Sequence, residues 1–168
     1  LRPSGRAGPV ATHIDAFKDY QHQEAWTWEH MALTRARVVS ASPEFKDRID
    51  TIIRDVLCTP RDSNVVARDV RDMREALAAE KGSGDVWDLK HNSGGMIDLD
   101  FIAQYIQLVH AAQVPDILQV NTLKVFLVAQ ELGFLSQGDS EVLRAAGRLY
   151  HDLMQIFRLC LSDKFDPA

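Results

Sequence analysis

The chain has 168 residues, 46% of them apolar and 26% charged, with a formal net charge of −5. A chain of this length suggests one domain, or one domain plus a remnant of a neighbour, and buries about 70% of the surface its unfolded form exposes, so it builds a core without staples. The ordinary apolar fraction excludes disorder, the lack of an apolar run of about 18 residues excludes a membrane span, and the acidic balance argues against nucleic acid as a partner.

Residues 1–12 differ from the rest. Pro3, Gly5 and Gly8-Pro9 punctuate them, and they read as the end of a strand followed by a loop. The start, Leu1-Arg2-Pro3-Ser4-Gly5, has neither an initiator Met nor an apolar leader and reads as a cut inside a longer chain. From residue 13 the punctuation is helical. Thr12, three residues before Asp15, approximates a capping box ahead of Ile14, Phe17 and Tyr20. A second helix is expected over about 25–40, carrying Trp26, Trp28, Met31, Leu33, Val38 and Val39. Ser42-Pro43 announces a third, with a stripe of Phe45, Ile49, Ile52, Ile53 and Val56 that stops at Thr59-Pro60. A fourth runs from about 63 to 81, with Val66, Val70, Met73 and Leu77 on one face.

Residues 82–95 form the longest irregular stretch, and a loop of that length is usually functional or mobile. The next helix, about 96–112, is apolar on more than one side and belongs at the centre of a bundle. Asn121 caps a sixth helix that ends at Leu132, with Gly133 and Phe134 forming its C-terminal turn. Asp139 or Ser140 caps the last, whose Leu143, Tyr150, Leu153, Phe157 and Cys160 face inward. The fold expected is all-α, a bundle of six to seven helices over 13–168. Cys58 and Cys160 make no CxxC pair and read as buried thiols of a cytoplasmic protein.

Gly94-Gly95-x-x-Asp98-x-Asp100 has the form that nucleotidyltransferases use. There glycines admit a triphosphate and two carboxylates on one strand hold Mg²⁺. On a helix the same aspartates point about 200° apart and share no metal; they then serve the positive end of the helix dipole. The helical reading is favoured, because helical periodicity runs on for a dozen residues and no further strands follow to build a palm. Arg35 and Arg37, behind Trp26 and Trp28, suit phosphate or carboxylate, although a solvated or salt-bridged arginine is the commoner outcome. The tryptophans read as core or as an interdomain contact. Lys90, beside the glycine pair, either reaches a phosphate or is a plain surface lysine. The histidines form no HExxH, and neither a G-x-S-x-G elbow nor a P-loop is present.

The segment Leu1-Arg2-Pro3-Ser4-Gly5-x-x-Gly8-Pro9 resembles the close of a nucleotidyltransferase palm. With it go Tyr20-Gln21, the block Glu24-Ala25-Trp26-Thr27-Trp28-Glu29-His30, and Ala32-Leu33-x-Arg35-Ala36-Arg37-Val38-Val39. Pro60-Arg61, Asp69-Val70-x-Asp72-Met73-Arg74, Asp88-Leu89-Lys90 and the run from Gly94 to Tyr105 complete the pattern. Together they resemble the C-terminal, adenylylating half of bacterial glutamine synthetase adenylyltransferase over nearly the whole chain.

That resemblance implies an enzyme that transfers AMP from ATP, with Mg²⁺, to a tyrosine of glutamine synthetase, under control of PII signalling protein and glutamine. It places the family's catalytic carboxylates upstream of residue 1. Residues 1–12 are then a remnant of the palm and 13–168 the helical domain, which alone is expected to be inactive. By the same resemblance Arg2, Arg35, Arg37 and Lys90 meet phosphate or interdomain acidic groups, and Glu29, Asp98 and Asp100 organise those cations. The family usually has Glu where this chain has Asp100. Two other readings stand beside this one: a self-sufficient small nucleotidyltransferase using Asp98 and Asp100, and an interaction module that docks PII or glutamine synthetase.

Overall fold

The computed structural model describes residues 11–160; Arg2 and most of the expected palm remnant lie outside them. Among the described residues are seven α-helices and no strand: α1 (Ile14–Gln23), α2 (Thr27–Leu33), α3 (Pro43–Leu57), α4 (Ser63–Lys81), α5 (Met96–His110), α6 (Thr122–Glu131) and α7 (Gln137–Cys160). A 3₁₀ turn, Pro115–Ile117, links α5 to α6. The all-α bundle expected from periodicity is the fold observed.

α5 is the axis. It packs on α2, α4, α6 and α7, as its nearly all-round apolar surface requires. Two clusters of buried side chains meet along it. Leu108 joins Ile14, Met31, Leu33, Ile52, Val56, Leu57 and Val66 from α1–α4. Leu99, Ala103 and Ile106 join Ile117, Val125, Phe126 and Ala129 on the other side. Tyr105 and Leu118 pack against both clusters, so the halves share one core. Each fully buried Leu, Ile or Phe contributes about 1.5–3 kcal/mol. Buried polar groups stitch the second half. Gln107 accepts the Gln119 N–H (2.8 Å), and Ser140 donates to the Phe126 carbonyl (3.1 Å).

Helix ends differ from expectation at three places. α1 is capped by His13, whose ring accepts the Asp15 N–H, and not by Thr12. α2 stops at Leu33, short of residue 40. The Thr34 hydroxyl donates to the Met31 carbonyl (2.7 Å), and the Arg35 and Ala36 N–H groups fold back onto Ala32 and Leu33. α7 starts two residues before Asp139, because Ser136 Oγ accepts the Asp139 N–H (3.1 Å) and donates to its carboxylate (2.6 Å). The caps at Ser42, Asp62 and Asn121 lie where their residue types predict.

Two burial expectations also change. Trp26 is 72% exposed and Trp28 48%, so neither is core. Cys160 is exposed on the last turn of α7, and Cys58 is half-buried. Ser140 is the one fully buried side chain of α7. Its outer face leaves Val142, Leu149, Ile156 and Leu159 in solvent, and Phe157 meets Trp87 edge to face (centroids 6.0 Å). No helix among the described residues is long and apolar enough to cross a membrane.

Candidate functional site

The turn that ends α2 throws Arg35 and Arg37 to the surface, where they line a cleft of about 530 Å³. Asp100 of α5 and the start of α6 form one wall, and Gly147, Arg148 and His151 of α7 form the other. The Arg35 guanidinium meets Asp100 Oδ2 at 2.5 Å, and the Thr122 hydroxyl donates to Asp100 Oδ1 at 2.7 Å. One carboxylate therefore ties α5, α6 and the post-α2 turn together in the lining of the cleft. Arg37 and Arg148 are exposed, and among the described residues no carboxylate pairs with either.

Asp98 faces another way. Its carboxylate takes the Arg74 guanidinium of α4 and the Gly94 N–H (2.5 Å). Arg74 also donates to the His91 (2.9 Å) and Asn92 (3.1 Å) carbonyls, which secures the 82–95 loop. The Asp98 contact holds Arg74 above its ordinary value. Within the loop, burial raises the Asp88 carboxyl. Hydrogen bonds from the His91 N–H and ring outweigh that and leave it below the ordinary range. Gly94 has φ +79°, which favours glycine, and a Cβ on Gly95 would sit 2.7 Å from the Leu89 carbonyl oxygen and 2.9 Å from that of Asn92. The glycine pair thus serves a tight entry into α5. Tyr150 of α7 donates to the Gly94 carbonyl (3.0 Å). Lys90 is exposed on this loop and is not part of the cleft lined by Arg35 and Arg37.

Glu29 is buried and accepts the Tyr20 hydroxyl (2.7 Å) and the Trp26 N–H (3.0 Å), forming the N-terminal capping of α2. Among the described residues no cation pairs with its carboxylate. Thr27 donates to Asp69 of α4 (2.5 Å). His30 Nε2–H donates to the Gln21 carbonyl (2.9 Å), which only accepts, so Nδ1 faces the Arg61 guanidinium at 3.4 Å. Arg61 donates to the Val56, Leu57 and Thr59 carbonyls at the end of α3. Burial lowers both His30 and Arg61. The Gln21 amide oxygen beside them is buried without a partner.

Most of the motif residues are thus cross-links inside the bundle. Of the expected contact residues, the structure brings Arg35, Arg37 and Asp100 together and separates Lys90, Asp98 and Glu29 from them. Sequence reasoning missed Arg148 and His151. Their spacing of three on one helix face was visible, but nothing in the sequence joined that face to Arg35.

Residues 1–52 match the family model described as glutamate-ammonia ligase adenylyltransferase, and residues 68–160 match that of GlnD PII-uridylyltransferase. The second match covers more than half of the chain and spans α4 to α7, the half of the bundle built around α5. Both models describe nucleotidyltransferases. The chain is 64% identical over 167 residues to the bifunctional glutamine synthetase adenylyltransferase/adenylyl-removing enzyme of Rhodopseudomonas palustris strain BisB5. Identity is 66% to its counterpart in Bradyrhizobium diazoefficiens and 51% to that in Xanthobacter autotrophicus. These alignments cover 99–100% of the chain, which spans 17% of the length of each relative. The chain belongs to the family of bifunctional glutamine synthetase adenylyltransferase/adenylyl-removing enzymes.

Proposed function

We propose that the chain is a helical domain that works beside a nucleotidyltransferase palm, in an enzyme that moves AMP from ATP to a tyrosine of glutamine synthetase and so regulates nitrogen assimilation. The divergence of Asp98 and Asp100 supports this reading most. One carboxylate is committed to Arg74 and the Gly94 N–H, the other to Arg35 and Thr122. Two aspartates facing different partners do not fit a shared Mg²⁺, so the self-sufficient nucleotidyltransferase is set aside and no catalytic step is assigned to these residues.

In this reading the carboxylates that hold Mg²⁺ come from the palm, and the helical domain positions and covers. Arg35 and Arg37 face phosphate or acidic groups of the palm. Lys90, on the 82–95 loop outside the cleft that they line, is assigned the same role, as is Arg2. Glu29, Asp98 and Asp100 keep the framework in register. The bundle's own chemistry is binding and orientation, which act through the geometry of the reacting groups. In the longer enzyme, Arg37→Ala is expected to lower AMP incorporation into glutamine synthetase by about tenfold or more, the scale of one lost charge-assisted hydrogen bond. Lys81→Ala, at the far end of α4, should leave it unchanged. Equal incorporation by the Arg37 variant and the parent contradicts the assignment.

The exposed apolar face of α7 favours a second role, docking of another protein surface such as PII signalling protein or glutamine synthetase. Leu149→Asp with Ile156→Asp should abolish such docking and leave nucleotide handling intact. Retained docking by that variant removes this role.

A further inference from the structure

Arginines from two elements line the cleft of about 530 Å³: Arg35 and Arg37 from the turn after α2, and Arg148 from α7. Among the described residues Arg37 and Arg148 have no acidic partner, while Arg35 is held by Asp100. The remaining carboxylate, Asp152, lies one turn beyond Arg148 and pairs with neither. The cleft therefore carries more arginine than carboxylate in a chain whose net charge is −5. α6 begins in its lining, at Asn121, Thr122 and Leu123. The side chain and carbonyl of Asn121 satisfy the Lys124 and Val125 N–H groups. The N–H groups of Thr122 and Leu123, in the first turn, have no intrahelical acceptor. His151, on the same wall as Arg148, adds a further donor.

We propose that this cleft is an oxyanion site for a phosphate group, with Arg37 and Arg148 as the gripping pair and Arg35 as a third cation restrained by Asp100. Guanidinium forks from two separate elements, the turn after α2 and α7, suit a tetrahedral, multiply charged group, because each offers two parallel N–H donors. A single planar carboxylate pairs with one fork and leaves the other unpaired. Asp100 acts as a counter-ion: it neutralises Arg35 in the empty cleft and opposes the arriving anion. The site stands on the cleft's own residues and does not depend on the transferase reading; the chain can bind phosphate whether or not it takes part in AMP transfer.

The test is a titration of the ¹⁵N-labelled chain, at low ionic strength so that screening is weak, first with inorganic phosphate and then with ATP. Saturable shifts of the Thr122 and Leu123 amides are expected with both. Arg37→Ala and Arg148→Ala should each weaken binding by about tenfold. Lys81→Ala should not change it. Both arginines are exposed and unpaired, so their variants keep the fold. Asp100→Asn removes the charge and retains an oxygen for Thr122, and should tighten phosphate binding severalfold; a merely structural Asp100 would not. ATP binding more tightly than phosphate, with the same variants affected, assigns the site to a nucleotide's polyphosphate tail. Equal affinity assigns it to a free oxyanion. Absence of saturable shifts with either probe, or shifts that neither arginine variant changes, overturns the proposal.

Discussion

Arg74, Arg61 and His30 illustrate how this bundle handles its buried polar groups. Arg74 is about four-fifths buried and satisfied by Asp98 and two loop carbonyls. Asp98→Ala leaves that guanidinium short of its carboxylate, and the expected cost is about 3 kcal/mol, read as a lower urea midpoint. His30 carries a pH dependence whose sign follows from its burial. Burial holds it below the ordinary histidine value of about 6.5, so the unfolded chain binds the extra proton first. The stability it contributes is complete above about pH 6.5 and is lost as pH falls through that value toward the folded one. Urea midpoints should therefore drop between pH 7.5 and 5.5, and His30→Gln should flatten the drop. An equal drop in that variant assigns the effect to other groups, such as His110, which burial also lowers beside Phe134.

At the scale of elements, the 82–95 loop and its exit into α5 are the most constrained piece of irregular backbone. Gly95→Ala would press its new methyl against two backbone carbonyls that cannot swing aside as a side chain does. A loss of about 1–3 kcal/mol is expected, measured by thermal or urea unfolding. Ser136→Ala should cost about 1 kcal/mol through loss of the α7 cap. Helix positions were legible because periodicity, Pro43 and Gly82 mark them. The end of α2 was not, because Val38 and Val39 extend the apolar pattern past a turn that the Thr34 hydroxyl closes. The Ser136 cap was hidden in the same way: Asp139 and Ser140 are good caps by type, and only the fold shows that Ser136 takes the role while Ser140 is buried against Phe126. The helical reading of Asp98 and Asp100 was legible, since it needs only the 3.6-residue period.

At the scale of the whole molecule, the cleft was half legible. Arg35 and Arg37 stand out beside the tryptophan block, whereas Arg148 and His151 reach them only when α7 folds back over α5 and α6. Conversely, many of the most distinctive sequence features are structural once seen in place. Tyr20 with Glu29, Thr27 with Asp69, Arg61 on the end of α3 and Arg74 with Asp98 hold helices to one another. A polar framework of this kind holds α2, and with it the turn that carries Arg35 and Arg37, against α4 and α5, consistent with a domain that positions groups supplied from elsewhere. The most direct test of that account is radiolabelled AMP incorporation into glutamine synthetase by this 168-residue chain alone and by a longer enzyme that includes a palm. The account predicts no incorporation by the chain and incorporation by the longer enzyme; AMP transfer by the chain alone would contradict it.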